Sequence, residues 1–191
     1  MDDTRLVLAS GSPRRARILA ALGVAFDVIV ADVDESLLPQ ERAEAASERL
    51  ARAKALAVSG RDSRPVLGAD TVVVCNGRIL GKPGASQQAV AMLRLLSGRS
   101  HEVVTGVCLV WRGQAHSGVE RSSVAFATLS ESEIAWYVDT GEPMDKAGGY
   151  HIDGRGALFV ESVAGSPSNV AGLPVGLLRR LFREAGLRLG P

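Results

Sequence analysis

Leu8-Ala-Ser-Gly-Ser-Pro-Arg-Arg15 sets how the chain begins. Leu6 to Ala9 is a short apolar run and reads as a first strand. Ser10, Gly11, Ser12 and Pro13 break it, and Ile18, Leu19 and Leu22 then open a helical pattern. The product is a strand, a small-residue loop and a helix start, with two hydroxyls and two guanidiniums at the junction. Small residues let backbone N–H groups approach an anion, and a helix N-terminus favours negative charge. Arg14 and Arg15 oppose the helix dipole there, and a phosphate chain would offset that through bidentate hydrogen bonds. The same residues also suit a helix capped by Ser12, with Pro13 at its first position and two solvated arginines.

Outward from that junction, Phe26 to Val30 reads as a second strand that runs into an acidic loop of Asp32, Asp34 and Glu35. A helix is predicted from about Pro39 to Val58, where Leu50, Lys54 and Val58 share one face. On that face Lys54 either snorkels from the edge of the core or points its ammonium into a cleft. Val66 to Val74 is the most apolar strand candidate, and Asp70 and Thr71 interrupt it. A carboxylate inside such a run is costly to bury unless it is paired, hydrogen-bonded or bound to metal, which favours a functional Asp70. Asn76-Gly77 predicts a hairpin returning through Arg78 to Leu80. Gly81-Lys82-Pro83 is not a Walker loop, because the preceding glycine is too close and no Ser or Thr follows the lysine.

Ser86 to Leu96 has helical periodicity, stopped by Ser97-Gly98. His101 to Trp111 and Gln114 to Ala127 read as strands around Arg112-Gly113, in an antiparallel half. Ser130 with Glu133 makes a capping box for a helix through Val138. The loop from Gly141 to Tyr150 sets Asp145 and Lys146 among tight-turn residues, where the plain reading is a surface ion pair. A strand from Ala157 to Val163 and a last helix from about Pro174 to Ala185 follow. No internal repeat or linker appears, so residues 1–191 read as a single domain.

The 191 residues are 46% apolar but only 4% aromatic, so Val, Leu and Ala must build the core. A net charge of +1 gives no argument for binding a nucleic-acid polymer. No apolar run is long enough to span a bilayer, and Met-Asp-Asp-Thr-Arg5 lacks the basic and apolar regions of a signal peptide. Cys75 and Cys108 have no metal-like spacing and read as core thiols in a reducing compartment. A soluble cytoplasmic protein is expected. His101, His116 and His151 lack ligand or triad spacing, and neither His-Glu-x-x-His nor Cys-x-x-Cys occurs, which argues against zinc. What remains is a set of cations (Arg14, Arg15, Lys54, Lys82, Lys146) and carboxylates (Glu35, Asp70). Cations cradle a polyphosphate, and carboxylates hold Mg²⁺ or orient water.

Leu-Ala-Ser-Gly-Ser-Pro-Arg-Arg, Gly68-Ala-Asp-Thr71, Gly81-Lys-Pro83, Leu96-Ser-Gly98 and Asp145-Lys-Ala-Gly148 occur in the order and spacing of the Maf family. These are nucleoside triphosphate pyrophosphatases, once named as septum-formation inhibitors, and the resemblance runs from Leu6 to about Leu187. It implies a mixed α/β fold with an elongated central mixed sheet flanked by helices and a cleft between two lobes, similar to the inosine triphosphate pyrophosphatases. It also implies cleavage between the α- and β-phosphates with a divalent metal, Mg²⁺ or Mn²⁺, in a homodimer. By this resemblance Ser10, Arg14, Lys54 and Lys82 are phosphate-site residues, with Arg15 beside them. Asp70 corresponds to the family's proton acceptor, and Glu35 with Asp70 to the acidic residues that help with metal.

Thr71 and the Asp-Lys-Ala-Gly-Gly-Tyr segment resemble the branch acting on dTTP and UTP, rather than the branch acting on 7-methyl-GTP. That pyrimidine branch continues Gly-Ile-Gln-Gly after the tyrosine, whereas this chain reads His151-Ile-Asp-Gly154. Asp153 therefore replaces a glutamine linked to base selection, and an ionised Asp offers acceptors only. Two alternatives stand beside the pyrimidine enzyme: a 7-methyl-GTP pyrophosphatase, and a non-catalytic nucleotide-binding regulator of cell division. Retention of Asp70 with Lys54 and Lys82 favours an enzyme, since binding alone needs no carboxylate opposite a polyanion.

Overall fold

A computed structural model describes residues 5–189. The first four residues, on which the absence of a leader was read, and both ends of a 1–191 domain lie outside the described residues. The elements run β1 (Leu6–Leu8), α1 (Pro13–Ala21), β2 (Phe26–Val28), α2 (Ala43–Ser59), β3 (Val66–Cys75) and β4 (Arg78–Leu80). They continue with α3 (Ser86–Leu96), β5 (Ser100–Trp111), β6 (Gln114–Phe126), α4 (Glu131–Asp139), β7 (Val160–Ala164), α5 (Pro167–Val170) and α6 (Val175–Glu184). The seven strands make one sheet in the order β2-β1-β3-β5-β6-β7, with β4 paired to β3. Strand β1 is parallel to both β2 and β3, while β3–β4 and β6–β7 are antiparallel, so the sheet is mixed as expected. Among the described residues no helix is long and apolar enough to cross a membrane.

The chain divides into two compact units, with β3, β5 and β6 contributing to both. The first holds the residues up to Asp70, Thr105–Glu120 and the chain from Gly172. Strand β1 and the first half of β3 are buried on both faces, and alternate residues separate accordingly. Leu6, Leu8, Leu67 and Ala69 pack with Leu19 of α1 and with Leu177, Leu178 and Leu181 of α6. Val7, Ala9 and Val66 face the other way, onto Ala51, Ala55 and Val58 of α2. The unit is thus helix, sheet, helix in section. From β1 the chain passes through α1 to β2 on one side, then through α2 to β3 on the other. The carboxyl ends of β1 and β3 are therefore a topological switch point, where open α/β sheets hold their ligands.

The second unit comprises Thr71–Val104 and Arg121–Ala171. Leu93 and Leu96 of α3 and Ile134 and Tyr137 of α4 pack with Val73, Val103, Val124 and Phe126 of its strands. The Asn76-Gly77 turn has positive φ at both residues, as the hairpin signal requires. The predicted capping box is present: Glu133 N–H donates to Ser130 Oγ, and Ser130 N–H donates to the Glu133 carboxylate. Cys75 and Cys108, one in each unit, are buried free thiols.

Several boundaries differ from the predicted ones. Strands β1 and β2 end earlier, at Leu8 and Val28. Helix α2 starts at Ala43 instead of about Pro39, because Gln40 has a φ of 57° and Glu41 is tied into a loop. The Glu41 carboxylate accepts from Leu38 N–H and from the Arg49 guanidinium, which braces that loop against the helix. Ala157–Phe159, predicted as strand, is part of a 3₁₀ turn spanning Arg155–Phe159. Its cause lies upstream, since the N–H groups of Arg155 and Gly156 both donate to the Glu142 carboxylate.

His101 is 2% exposed and its Nε2 lies 2.8 Å from the Tyr150 hydroxyl, with the Phe126 ring edge-on to it. Burial pulls its pKa down from 6.5 to about 4. As the pH falls, the unfolded chain takes up this proton before the folded one does. The contribution of neutral His101 to stability is therefore complete above pH 6.5 and is lost as the pH falls through about 4. The expected loss is on the order of 3 kcal/mol. Denaturant titrations at a series of pH values should show a shallower acid slope for His101→Leu than for wild type; equal slopes would assign the slope elsewhere.

Candidate active site

Lys54 lies on α2 and Asp70 on β3. The Lys54 ammonium donates to Asp70 Oδ1 at 2.7 Å and pairs with Glu35 Oε2 at 2.9 Å. Lys54 and Asp70 are each only 7% exposed, whereas Glu35 reaches in from the exposed loop after β2. Snorkelling is thereby excluded: the ammonium is buried between two carboxylates. A buried ion of this kind is tolerable only because it is paired, and leaving one partner uncompensated costs about 3–5 kcal/mol.

The close approach of α2 to the sheet makes this contact. A Cβ at Gly68 would collide with the Ala51 carbonyl oxygen and lie 2.7 Å from Ala55 N. A Cβ at Gly106, on β5, would collide with the backbone of Ser47. Ser47, Ala51 and Ala55 recur every four residues on α2, so a stripe of small side chains meets two glycines in the strands. Gly106 was not singled out from the sequence, although an isolated glycine inside a strand pattern is itself a signal of close backbone approach.

At the end of β1, Ser10 and Arg15 form a second polar group. Arg15 is 8% exposed; its Nε donates to the Gly172 carbonyl at 2.9 Å and its Nη1 donates to Ser10 Oγ at 2.8 Å. Ser12 N–H also donates to Ser10 Oγ, at 3.3 Å. Burial lowers the Arg15 pKa to about 10; Asp70 and Glu35 oppose that fall and Arg14 adds to it. The guanidinium stays protonated at neutral pH and belongs to the same electrostatic group as the two carboxylates. Two solvated arginines are therefore not what forms: Arg15 is buried and Arg14 half-buried. Pro13 does take the first helical position, but Ser12 makes no side-chain cap, and the first turn of α1 has no acidic residue.

The structure thus brings Ser10, Arg15, Glu35, Lys54 and Asp70 into one electrostatic group at the switch point, with Arg14 on the first turn of α1. The other candidates belong to the second unit. Thr71 is half-buried on β3, Lys82 is exposed just after β4, and Asp153 is exposed in the turn that follows Tyr150. That turn is braced: Gly154 N–H donates to His151 O, His151 N–H donates to the Tyr137 hydroxyl, and that hydroxyl donates to Glu142. Burial alone would raise the Glu142 pKa, but the Tyr137 hydroxyl and the N–H groups of Gly156 and Arg155 hold it below the usual value. Glu142 carried no sequence signal of its own. Lys146 pairs with Asp145 as the plain reading of that loop expects, but Lys146 is buried rather than at the surface.

Among the described residues no three or more His, Cys, Asp or Glu side chains cluster as a metal cage. Glu35 and Asp70 nevertheless converge on one cation, the Lys54 ammonium. Two hard oxygen donors without a full cage suit Mg²⁺ or Mn²⁺, which keep waters and take further oxygens from a phosphate chain.

Residues 5–185 match the family model described as Maf-like protein. The chain is 53% identical over 190 residues to the dTTP/UTP pyrophosphatase of Anaeromyxobacter dehalogenans strain 2CP-C, covering 97% of this chain and 96% of that one. It is 49% identical over 189 residues to the dTTP/UTP pyrophosphatase of Myxococcus xanthus strain DK1622, covering 98% and 96%. Among solved structures, the Staphylococcus aureus Ham1 protein aligns over 94% of this chain and 98% of its own, with a TM-score of 0.54 and 14% identity. That likeness is one of fold.

Proposed function

The chain belongs to the Maf family, and from that membership we propose that it is a nucleoside triphosphate pyrophosphatase, hydrolysing dTTP and UTP to the monophosphate and pyrophosphate. The names of its close relatives support the substrate, and one observation supports the chemistry: the buried Lys54 ammonium held by both Asp70 and Glu35. Water attack on phosphorus needs alignment, charge neutralisation and a base. Asp70 is the base. In the free protein one of its oxygens accepts from Lys54. An arriving polyphosphate offers Lys54 a third anion beside Asp70 and Glu35, and the shift of the ammonium toward it frees the Asp70 oxygen to take a proton from water. Ser10, Arg14 and Lys82 bind phosphate oxygens. A divalent metal held by Glu35 and Asp70 would supply further positive charge to the phosphates and the departing pyrophosphate. A cytoplasmic homodimer belongs to the same proposal; two buried free thiols support the compartment, and the family resemblance alone supports the dimer.

Thr71 and Asp153 are the proposed base-reading residues. Asp153 has no donor for a pyrimidine carbonyl, and a polar group left unpaired by the wrong side chain costs about 1–3 kcal/mol. Pyrophosphate release measured over dTTP, UTP, CTP, the purine triphosphates and 7-methyl-GTP tests this. The expected order puts dTTP and UTP first, and Asp153→Gln should raise their kcat/KM or widen their lead by roughly tenfold. A wild type that prefers 7-methyl-GTP to UTP, with the order untouched in Asp153→Gln, would refute both the substrate and the role of Asp153.

A further inference from the structure

From the hydrogen bonds around Ser10 we infer that Arg15 is a positioning residue: it turns the Ser10 hydroxyl into an obligatory donor aimed at a phosphate oxygen. A serine hydroxyl has two lone pairs and one proton. Both lone pairs of Ser10 Oγ face donors, Arg15 Nη1 at 2.8 Å and Ser12 N at 3.3 Å. The one proton must therefore point elsewhere, and no acceptor for it lies within hydrogen-bond reach among the described residues. Ser10 is 7% exposed, so an idle proton there is costly, and an acceptor oxygen from a ligand removes that cost. The charged guanidinium also polarises the O–H bond and makes it a stronger donor.

The direction is fixed from behind. Arg15 is itself buried, and its Nε donates to the Gly172 carbonyl at 2.9 Å, so the planar guanidinium joins that carbonyl to Ser10. Burial pulls the Arg15 pKa down to about 10 and Asp70 and Glu35 oppose that fall, so the guanidinium is charged and Nη1 is a donor at neutral pH. Ser10 cannot reverse its role and accept from a donor-bearing ligand. This end of the site therefore selects an oxyanion over an ammonium group. Sequence reading gave Arg14 and Arg15 the same expected task. The geometry sets Arg15 apart from that task, placing it one step behind the Ser10 hydroxyl.

The inference rests on the pyrophosphatase reading above, and a double-mutant cycle in kcat/KM for UTP tests it. Ser10→Ala should lower kcat/KM by roughly ten- to a hundredfold, mostly through KM, the range for one hydrogen bond to a charged group. Arg15→Gln in the wild-type background should lower it by a similar factor. In the Ser10→Ala background, the same substitution should cost less than about threefold, since its target is gone. Losses that multiply in the double variant would overturn the inference and make Arg15 a direct ligand or an independent structural element. If Arg15→Gln does not fold, Arg15→Lys keeps the charge but not the fork that reaches both Ser10 and Gly172. Arg15→Lys should then lose several-fold in the wild-type background and little in Ser10→Ala; full activity in Arg15→Lys alone would also overturn it. A wild type inactive on every triphosphate would instead sink the pyrophosphatase reading itself, and the two failures are distinct.

Discussion

Asp70→Asn should lower turnover of dTTP and UTP by at least about a hundredfold, the lower range for loss of a general base. The substitution nearly preserves shape, and the amide oxygen can still accept from Lys54. It removes the proposed proton acceptor and one of the two carboxylates that converge on the ammonium. Folding should survive, because Glu35 still neutralises Lys54. KM should change less than kcat, since the phosphate ligands are left in place. Steady-state kinetics at saturating metal, with a thermal melt beside them, reads both quantities. A well-folded Asp70→Asn enzyme with wild-type turnover would remove Asp70 from the mechanism.

The second large effect falls on a residue that touches no substrate. In Gly68→Ala the new methyl meets the Ala51 carbonyl oxygen and Ala55 N, backbone atoms that cannot swing aside. Helix α2 must move off β3, which costs about 1–3 kcal/mol by overpacking. For a chain of this size that corresponds to a fall in Tm of about 2–10 °C. Lys54 rides on α2 and Asp70 stands two residues beyond Gly68, so the 2.7 Å pair opens at the same time. A displacement of about 1 Å at reacting groups costs on the order of a hundredfold in rate. Gly176→Ala is the control: Gly176 is exposed on α6, a Cβ there meets nothing within 4 Å, and a helical alanine is favoured over glycine. If Gly68→Ala melts and turns over like Gly176→Ala, close packing of α2 is not what builds the site.

Turns and caps were legible where the cause sat within a few residues of its effect. Asn76-Gly77 makes its turn from its own φ values, and Ser130 with Glu133 starts α4 by bonds three residues apart. Strand β3 was legible because its apolar run is long, and Asp70 stood out by violating it. Misreadings occurred where a distant side chain decided the backbone. The turn at Arg155–Phe159 is held by Glu142, and the loop before α2 by Arg49, neither of which periodicity reveals. The fate of Lys54 depended on carboxylates at Glu35 and Asp70, far along the chain, so helical spacing left it open. The split between Arg14 and Arg15 was nearer to hand. Arg15 precedes Leu19 by four residues and shares its buried face, a spacing that marks it as the inward arginine.

The carboxylate-bound Lys54 and Asp70 are proposed to serve hydrolysis of a pyrimidine triphosphate between its α- and β-phosphates. Phosphorus NMR of UTP incubated with the wild-type protein and Mg²⁺ tests it most directly, because it identifies the bond broken. UMP and pyrophosphate should appear together in equal amounts, at a rate that collapses in Asp70→Asn. UDP with orthophosphate, or UTP left intact, would contradict it.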